Sequence, residues 1–270
     1  MWHDAGMTEL PGVVAQAAAA FGLDPARLRS LGGASGSSWG AGPYILRAGR
    51  RRVLDRELLA ATAAAAVVPV PRIIGRTDVG DHTAVLLERL PGRPAAELAR
   101  KGPALARVAG RACGSVHALL AGVPAPDGLR AAPGAPEDLR GGRPARLLHL
   151  DLHPLNLLVN REGALTGVLD WANAAAGPPV LDRARSWAIL NLDPLARAQH
   201  ASPLFQALAA GWTEAAGLDT VPAGARAWAC RFMLIDLSRR YSAADLTHIR
   251  QALAEAESEA GHGDLAGELP

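Results

Sequence analysis

Residues 147–160, LLHLDLHPLNLLVN, set two histidines, an aspartate and two asparagines among leucines, with His149, Asp151, His153 and Asn156 in one short segment. Read as a strand, His-x-Asp-x-His places three potential ligands on one face, as a zinc-dependent hydrolase would need. Read as a loop, the same residues suit phosphoryl transfer, which asks for a carboxylate beside an attacking hydroxyl, and an amide plus a second carboxylate to hold Mg²⁺ against phosphate oxygens. Asp151 stands five residues before Asn156, and Asp170 ends the apolar run GVLD fourteen residues after that. The other histidines, at 3, 82, 117, 200, 248 and 262, are scattered singly, which weighs against zinc.

Such residues work only if regular elements position them. Residues 8–30 read as helical, with Asp24-Pro25 starting a second short helix. LGGASGSSWGAGPYILRAG then reads as two short strands around a glycine- and serine-rich turn, with YILR as a strand. RRVLDRELLAATAAAAV follows as a helix, and VPVPRIIGRT with HTAVLLERLPGRP as a hairpin turning at TDVGD. After Pro91-Gly92 the pattern changes: helix over 95–122, a Pro/Gly-rich connection over 123–145, two short strand-like runs around the turn NREG, and helices from about 181 onward. Trp187, Leu190, Trp212, Trp228, Phe232 and Leu237 are the expected core of that last part. Sheet-rich first and helix-rich afterwards, with the junction at LLERLPGRP, the chain is expected to form two lobes with a cleft between them. Clefts of this kind are where ligands bind.

Composition narrows the classes. The 270 residues carry 28 basic and 26 acidic side chains, a formal charge of +2, with no Lys/Arg stripe and no aromatic-basic alternation, so nucleic acid is not an expected partner. The basic stretch RAGRRRVLDR reads as a solvated turn and helix start, and the acidic tail AEAESEAGHGDLAGELP as a solvated helix end. Cys113 and Cys230 make no disulfide framework and read as buried thiols of a reducing compartment. No uninterrupted apolar run approaches the ~18 residues of a membrane span, and GVVAQAAAAFG follows acids rather than a positive segment. A cytoplasmic protein with no membrane partner is the expectation.

HLDLHPLN followed by a strand ending in Asp170-Trp171 resembles the aminoglycoside phosphotransferase and choline-kinase-like branch of the protein-kinase fold. The resemblance runs from about residue 28 to 190. It implies an α+β, bilobal protein-kinase-like fold, with a small sheet-rich nucleotide-binding lobe over 1–90 and a larger, mostly helical catalytic and acceptor-binding lobe over 91–270. It implies an enzyme that moves the γ-phosphoryl group of ATP, or GTP, with Mg²⁺, to a hydroxyl of a small molecule such as an aminoglycoside, sugar or amino alcohol.

By the same resemblance Asp151 orients the acceptor hydroxyl and takes its proton, and Asn156 and Asp170 are the Mg²⁺ ligands. His149 props the catalytic loop and His153 with Pro154 shapes its turn; His117, in SVHALL, also resembles a family position on a helix but reads as a structural histidine. The turn GGASGSSWG, with Gly33, Ser35, Gly36 and Ser37, would lay backbone N–H groups over the nucleotide phosphates. Arg47 stands where the family usually has lysine, Glu57 would pair with that cation, and backbone groups from Glu88 to Leu90 would bond the purine. The chain departs from the family where Leu150 and Leu155 replace glycines of the loop. It departs again where the Gly-Asp-Pro and Asp-Leu-Ala pattern becomes Gly177-Pro178-Pro179 and Asp182-Arg183-Ala184. These departures keep open a second reading, a catalytically impaired nucleotide-binding relative with a regulatory or scaffold role. The metal-dependent hydrolase remains a third.

Overall fold

The computed structural model describes residues 10–32, 37–137, 139 and 144–265; the expected phosphate-binding residues Gly33, Ser35 and Gly36 lie outside them. The amino-terminal half is a five-stranded antiparallel sheet in the order β1 (Arg29–Ser30), β2 (Ser38–Ala41), β3 (Tyr44–Arg50), β5 (His82–Glu88), β4 (Ile73–Val79). Strand alternation gives β3 two faces. Leu46 and Ala48 point, with Ala84, into a small core closed by Val13, Val14, Ala17 and Ala18 of α1 (Leu10–Ala20). Ile45 packs on the other side with Leu54, Val85 and Leu87, and Arg47 shares that face.

The helix after β3, α2 (Arg51–Ala64), buries Leu54, Glu57, Ala60 and Ala64, a stripe at helical spacing that contains one acid. A carboxylate in such a stripe has to find a cation, and Arg47 on the facing strand supplies it. Asp24 caps the 3₁₀ turn Pro25–Arg27 by accepting from Ala26 N at 3.0 Å, so the expected second helix is a single turn.

Past Gly92 the chain enters the helical half. β6 (Arg93–Pro94) pairs with β8 (Leu157–Val159), which pairs with β9 (Leu165–Val168), while β7 (Arg146–Leu148) pairs with β10 (Ala175–Gly177). Two helices, α3 (Ala95–Ala99) and α4 (Pro103–Leu120), fill the span expected to be helical. They are followed, beyond the 123–145 connection, by α5 (Pro179–Leu192), α6 (Pro194–Arg197), α7 (Pro203–Ala216), α8 (Ala223–Leu237) and α9 (Thr247–Leu265). Most of the acidic tail is thus helix.

The cores lie on either side of α5. Trp212 sits in the one built from α4 and α7, Trp228 and Leu237 in the one built on α8, and Trp187 and Phe232 are only partly buried against them. Gly110 allows the close α4–α7 approach, because a Cβ there would run into the backbone of Leu208. Cys113 and Cys230 are free and buried. Among the described residues no helix is long and apolar enough to cross a membrane.

Candidate active site

β7 ends at Leu148, so His149, Asp151 and His153 lie on a loop and not on one strand face. His149 is fully buried, and both ring nitrogens are engaged: Nε2 donates to Leu169 O at 2.9 Å and Nδ1 accepts from Asp151 N at 3.3 Å. Burial lowers its pKa, overcoming the pull of Asp182 and Asp151, so the ring is neutral and has no lone pair left for a metal. Its face meets Trp171, with ring centroids 4.6 Å apart. Trp171 in turn donates Nε1–H to Val168 O at 3.2 Å. The two sequence motifs are therefore one structural unit: the histidine of the first holds the backbone just before the aspartate of the second. A further clamp runs from Leu169 N to Asn156 O at 2.8 Å.

Asn156 is oriented by its amide nitrogen, which donates to Asp151 O at 3.0 Å, with Asp151 Oδ2 at 3.4 Å. Its Oδ1 makes no hydrogen bond among the described residues. His153 accepts Leu155 N–H on Nδ1 at 3.3 Å, and its Nε2 lies 3.1 Å from Asn156 Nδ2 and 3.8 Å from Asp151 Oδ2. Asp170 follows β9 with φ 60°, a left-handed conformation that aspartate tolerates better than most residues. Its carboxylate stands 3.6 Å from Arg47 Nη2, which also contacts Glu57 Oε2 at 2.8 Å, while Nη1 donates to Ser38 Oγ at 3.1 Å. Arg47 thus ties the sheet-rich half to the end of β9. Burial works against its charge, but Glu57 and Asp170 outweigh burial and raise its pKa above the ordinary value.

Asp182, in the first turn of α5, was visible in the sequence only as part of a family pattern, yet it carries the loop. The buried carboxylate accepts from Leu150 N at 2.7 Å and His149 N at 3.3 Å. Burial pushes this carboxyl up, but the His117 ring, 3.6 Å away through Nδ1, together with His149 and the Leu150 N–H, holds it below the usual range. Its place near a helix N-terminus favours the same ionised form. His117, itself buried, also makes contact with Ser186 Oγ through Nε2 at 3.1 Å. Leu150 has φ 62°, which costs a non-glycine residue about 1–2 kcal/mol, and its side chain is completely buried. The leucine takes up the conformation a glycine would adopt and adds apolar burial. Leu155, the other replaced glycine, is 60% exposed.

Where β5 leaves the sheet, Glu88 N donates to Arg72 O at 2.9 Å and Arg89 N to Pro43 O at 3.0 Å. Leu90 N–H bonds to no described group and is the donor that remains. The Glu88 side chain faces Arg72 at 3.4 Å. The Ser37 carbonyl accepts from Ala48 N at 3.0 Å.

Two halves joined by a short connection, with Asp151, Asn156 and Asp170 at their junction, define a kinase-like fold. The chain belongs to the phosphotransferase enzyme family, whose model matches residues 37–141 and 129–218. The fold is shared with aminoglycoside phosphotransferase APH(3'')-Id from Streptomyces rimosus, solved with ADP and streptomycin, at TM-score 0.59 and 12% identity over 82% of this chain and 96% of that one. A thermostable mutant of aminoglycoside phosphotransferase APH(4)-Ia, solved with ADP and hygromycin B, gives TM-score 0.54 and 15% identity over 90% and 98%. A choline/ethanolamine kinase family protein from Mesorhizobium loti gives 0.52 and 15% over 91% and 94%. No curated protein matches the chain by sequence.

Proposed function

We propose that the protein is a small-molecule kinase that transfers the γ-phosphoryl group of ATP, or GTP, to a hydroxyl. The observation that carries this reading is the convergence on one point of three segments distant in sequence: the Arg47–Glu57 pair reaches Asp170, and His149 and Asn156 bind the backbone of Leu169 beside it. Residues 1–90 would be the nucleotide lobe and 91–270 the catalytic and acceptor lobe, in keeping with β6 already pairing into the helical half.

In this reading Asp151 orients the acceptor hydroxyl and takes its proton, Arg47 and Ser37 hold phosphates, and Leu90 N–H meets the purine edge. Asn156 Oδ1 and the Asp170 carboxylate are hard oxygen donors and fit Mg²⁺. When bound, that ion would neutralise charge on the phosphate oxygens. A zinc hydrolase is disfavoured because the His149 ring is already committed. Against an impaired relative stand two of the substitutions that motivate it: Leu150 adopts the left-handed conformation, and Arg47 makes its glutamate pair. The acceptors of the solved relatives suggest hydroxylated amines and sugars as the first compounds to screen.

Calorimetric titration of ATP and GTP, with and without Mg²⁺, tests the reading together with an acceptor screen for ADP formation. Wild type should bind nucleotide in a Mg²⁺-dependent way. Asp170→Ala should lose at least roughly tenfold in affinity, whereas Asp151→Ala should bind normally and lose turnover by a factor on the order of 10³. Normal turnover by Asp151→Ala would sink the assignment.

A further inference from the structure

Three side chains on one face of α5, at positions 182, 185 and 186, hold the backbone on both sides of Asp151. Asp182 takes the N–H groups of His149 and Leu150, and Ser186 Oγ donates to Leu152 O at 3.4 Å. Arg185 donates Nε–H to Leu150 O at 3.2 Å, and its Nη2 reaches Asp236 Oδ2 on α8 at 2.7 Å. Its guanidinium lies 4.8 Å from the centre of the Phe232 ring.

Arg185 is only 2% exposed, and its Nη1 is buried with no hydrogen-bond partner among the described residues. As a device for stability this is a poor choice. Burying a guanidinium costs desolvation, an unpaired donor adds to the cost, and an apolar side chain of similar length would fill the space without either. What such a side chain could not do is donate to the carbonyl of the residue in left-handed conformation immediately before Asp151.

Resting on the kinase reading above, we propose that Arg185 is a positioning residue for phosphoryl transfer. It pins the Leu150 carbonyl, so that the left-handed turn presents Asp151 in its working orientation, and through Asp236 it ties that turn to α8. Arg240 Nη2 lies 3.9 Å from the same Asp236 carboxylate. The tie matters because Leu150, unlike glycine, would otherwise relax away from positive φ.

The test compares wild type, Arg185→Met, Arg185→Lys, Leu150→Gly and the double variant Leu150→Gly/Arg185→Met. Acceptor-independent ADP release from Mg·ATP, with water as the acceptor, is measured below each variant's unfolding midpoint. Arg185→Met should lose roughly 100-fold in kcat, the size of effect a small misplacement produces, with KM for Mg·ATP changed less than about threefold. Arg185→Lys, which keeps one donor, should recover part of the loss. In the Leu150→Gly background, where the turn is intrinsically favoured, the same Arg185→Met change should cost no more than about tenfold. Wild-type kcat in Arg185→Met, or an equal loss in both backgrounds accompanied by a parallel fall in unfolding midpoint, would overturn the proposal and make Arg185 a structural residue. A wild-type protein that binds Mg·ATP no better than Asp170→Ala would overturn the kinase reading instead, and this proposal with it.

Discussion

The loop around Asp151 and the cluster around Arg47 are built in different ways. The loop is held by its backbone: Asp182, Arg185 and Ser186 on one helix bond the main chain of residues 149, 150 and 152, all out of solvent. The Arg47 cluster is held by side-chain tips on three elements, and one of them, Asp170, is 43% exposed. Backbone bonds to buried groups leave little room for rearrangement; within the Arg47 cluster the Glu57 pair is likewise buried, and only the contact to the exposed Asp170, at 3.6 Å, can exchange partners at small cost. On the kinase reading proposed above, the loop that would aim at an acceptor is fixed, and the Asp170 contact, which would meet a charged nucleotide, is the adjustable part.

The largest expected effect would break the rigid side of this contrast. Asp182→Ala leaves two buried N–H groups without an acceptor and should cost about 3–5 kcal/mol in unfolding free energy, read by urea denaturation. A loss below about 1 kcal/mol would mean that the loop is not held by this carboxylate. A smaller effect follows from pH. His149 has a depressed pKa in the folded protein, so between that value and its ordinary 6.5 the unfolded chain binds more protons than the folded one. Stability from this group is complete above pH 6.5 and declines as pH falls below it, and Asp182, also depressed, adds a second decline below about 3.8. Thermal midpoints at pH 7.5, 6.5 and 5.5 should therefore fall in that order, and His149→Gln should flatten the trend; a wild type equally stable at 5.5 and 7.5 would contradict it. The smallest effect belongs to the adjustable side. Arg47→Lys keeps a cation for Glu57 but cannot span Ser38, Glu57 and Asp170 together, so affinity for Mg·ATP should change only about two- to fivefold. A change on the order of 100-fold, measured by calorimetry, would show that the cluster is as strictly built as the loop.

Much of this could be read in the chain itself. The switch from β-type to helical pattern near LLERLPGRP corresponds to the change from the five-stranded sheet to the helices, because strand and helix periods are local properties. HLDLHPLN and VLDW named Asp151, Asn156 and Asp170, whose residue types follow from the chemistry they would perform. Glu57 also matched the place where it meets Arg47. The strand-face alternative for His149, Asp151 and His153 came from the His-x-Asp-x-His spacing in an apolar, strand-like run, and it fell because β7 stops at Leu148. Asp182 was seen as a pattern element without its task, and Arg185 gave no signal, since nothing local distinguishes a buried guanidinium from a solvated one on a helix rich in arginine and alanine.

The residue types of phosphoryl transfer and the order of the elements that carry them were determined by the sequence alone. Tertiary structure decided which backbone groups those elements hold. The grip of α5 on residues 149–152 spans more than thirty positions, and whether Leu150 is strained or supported depends on hydrogen bonds that exist only once the helix has packed against the loop.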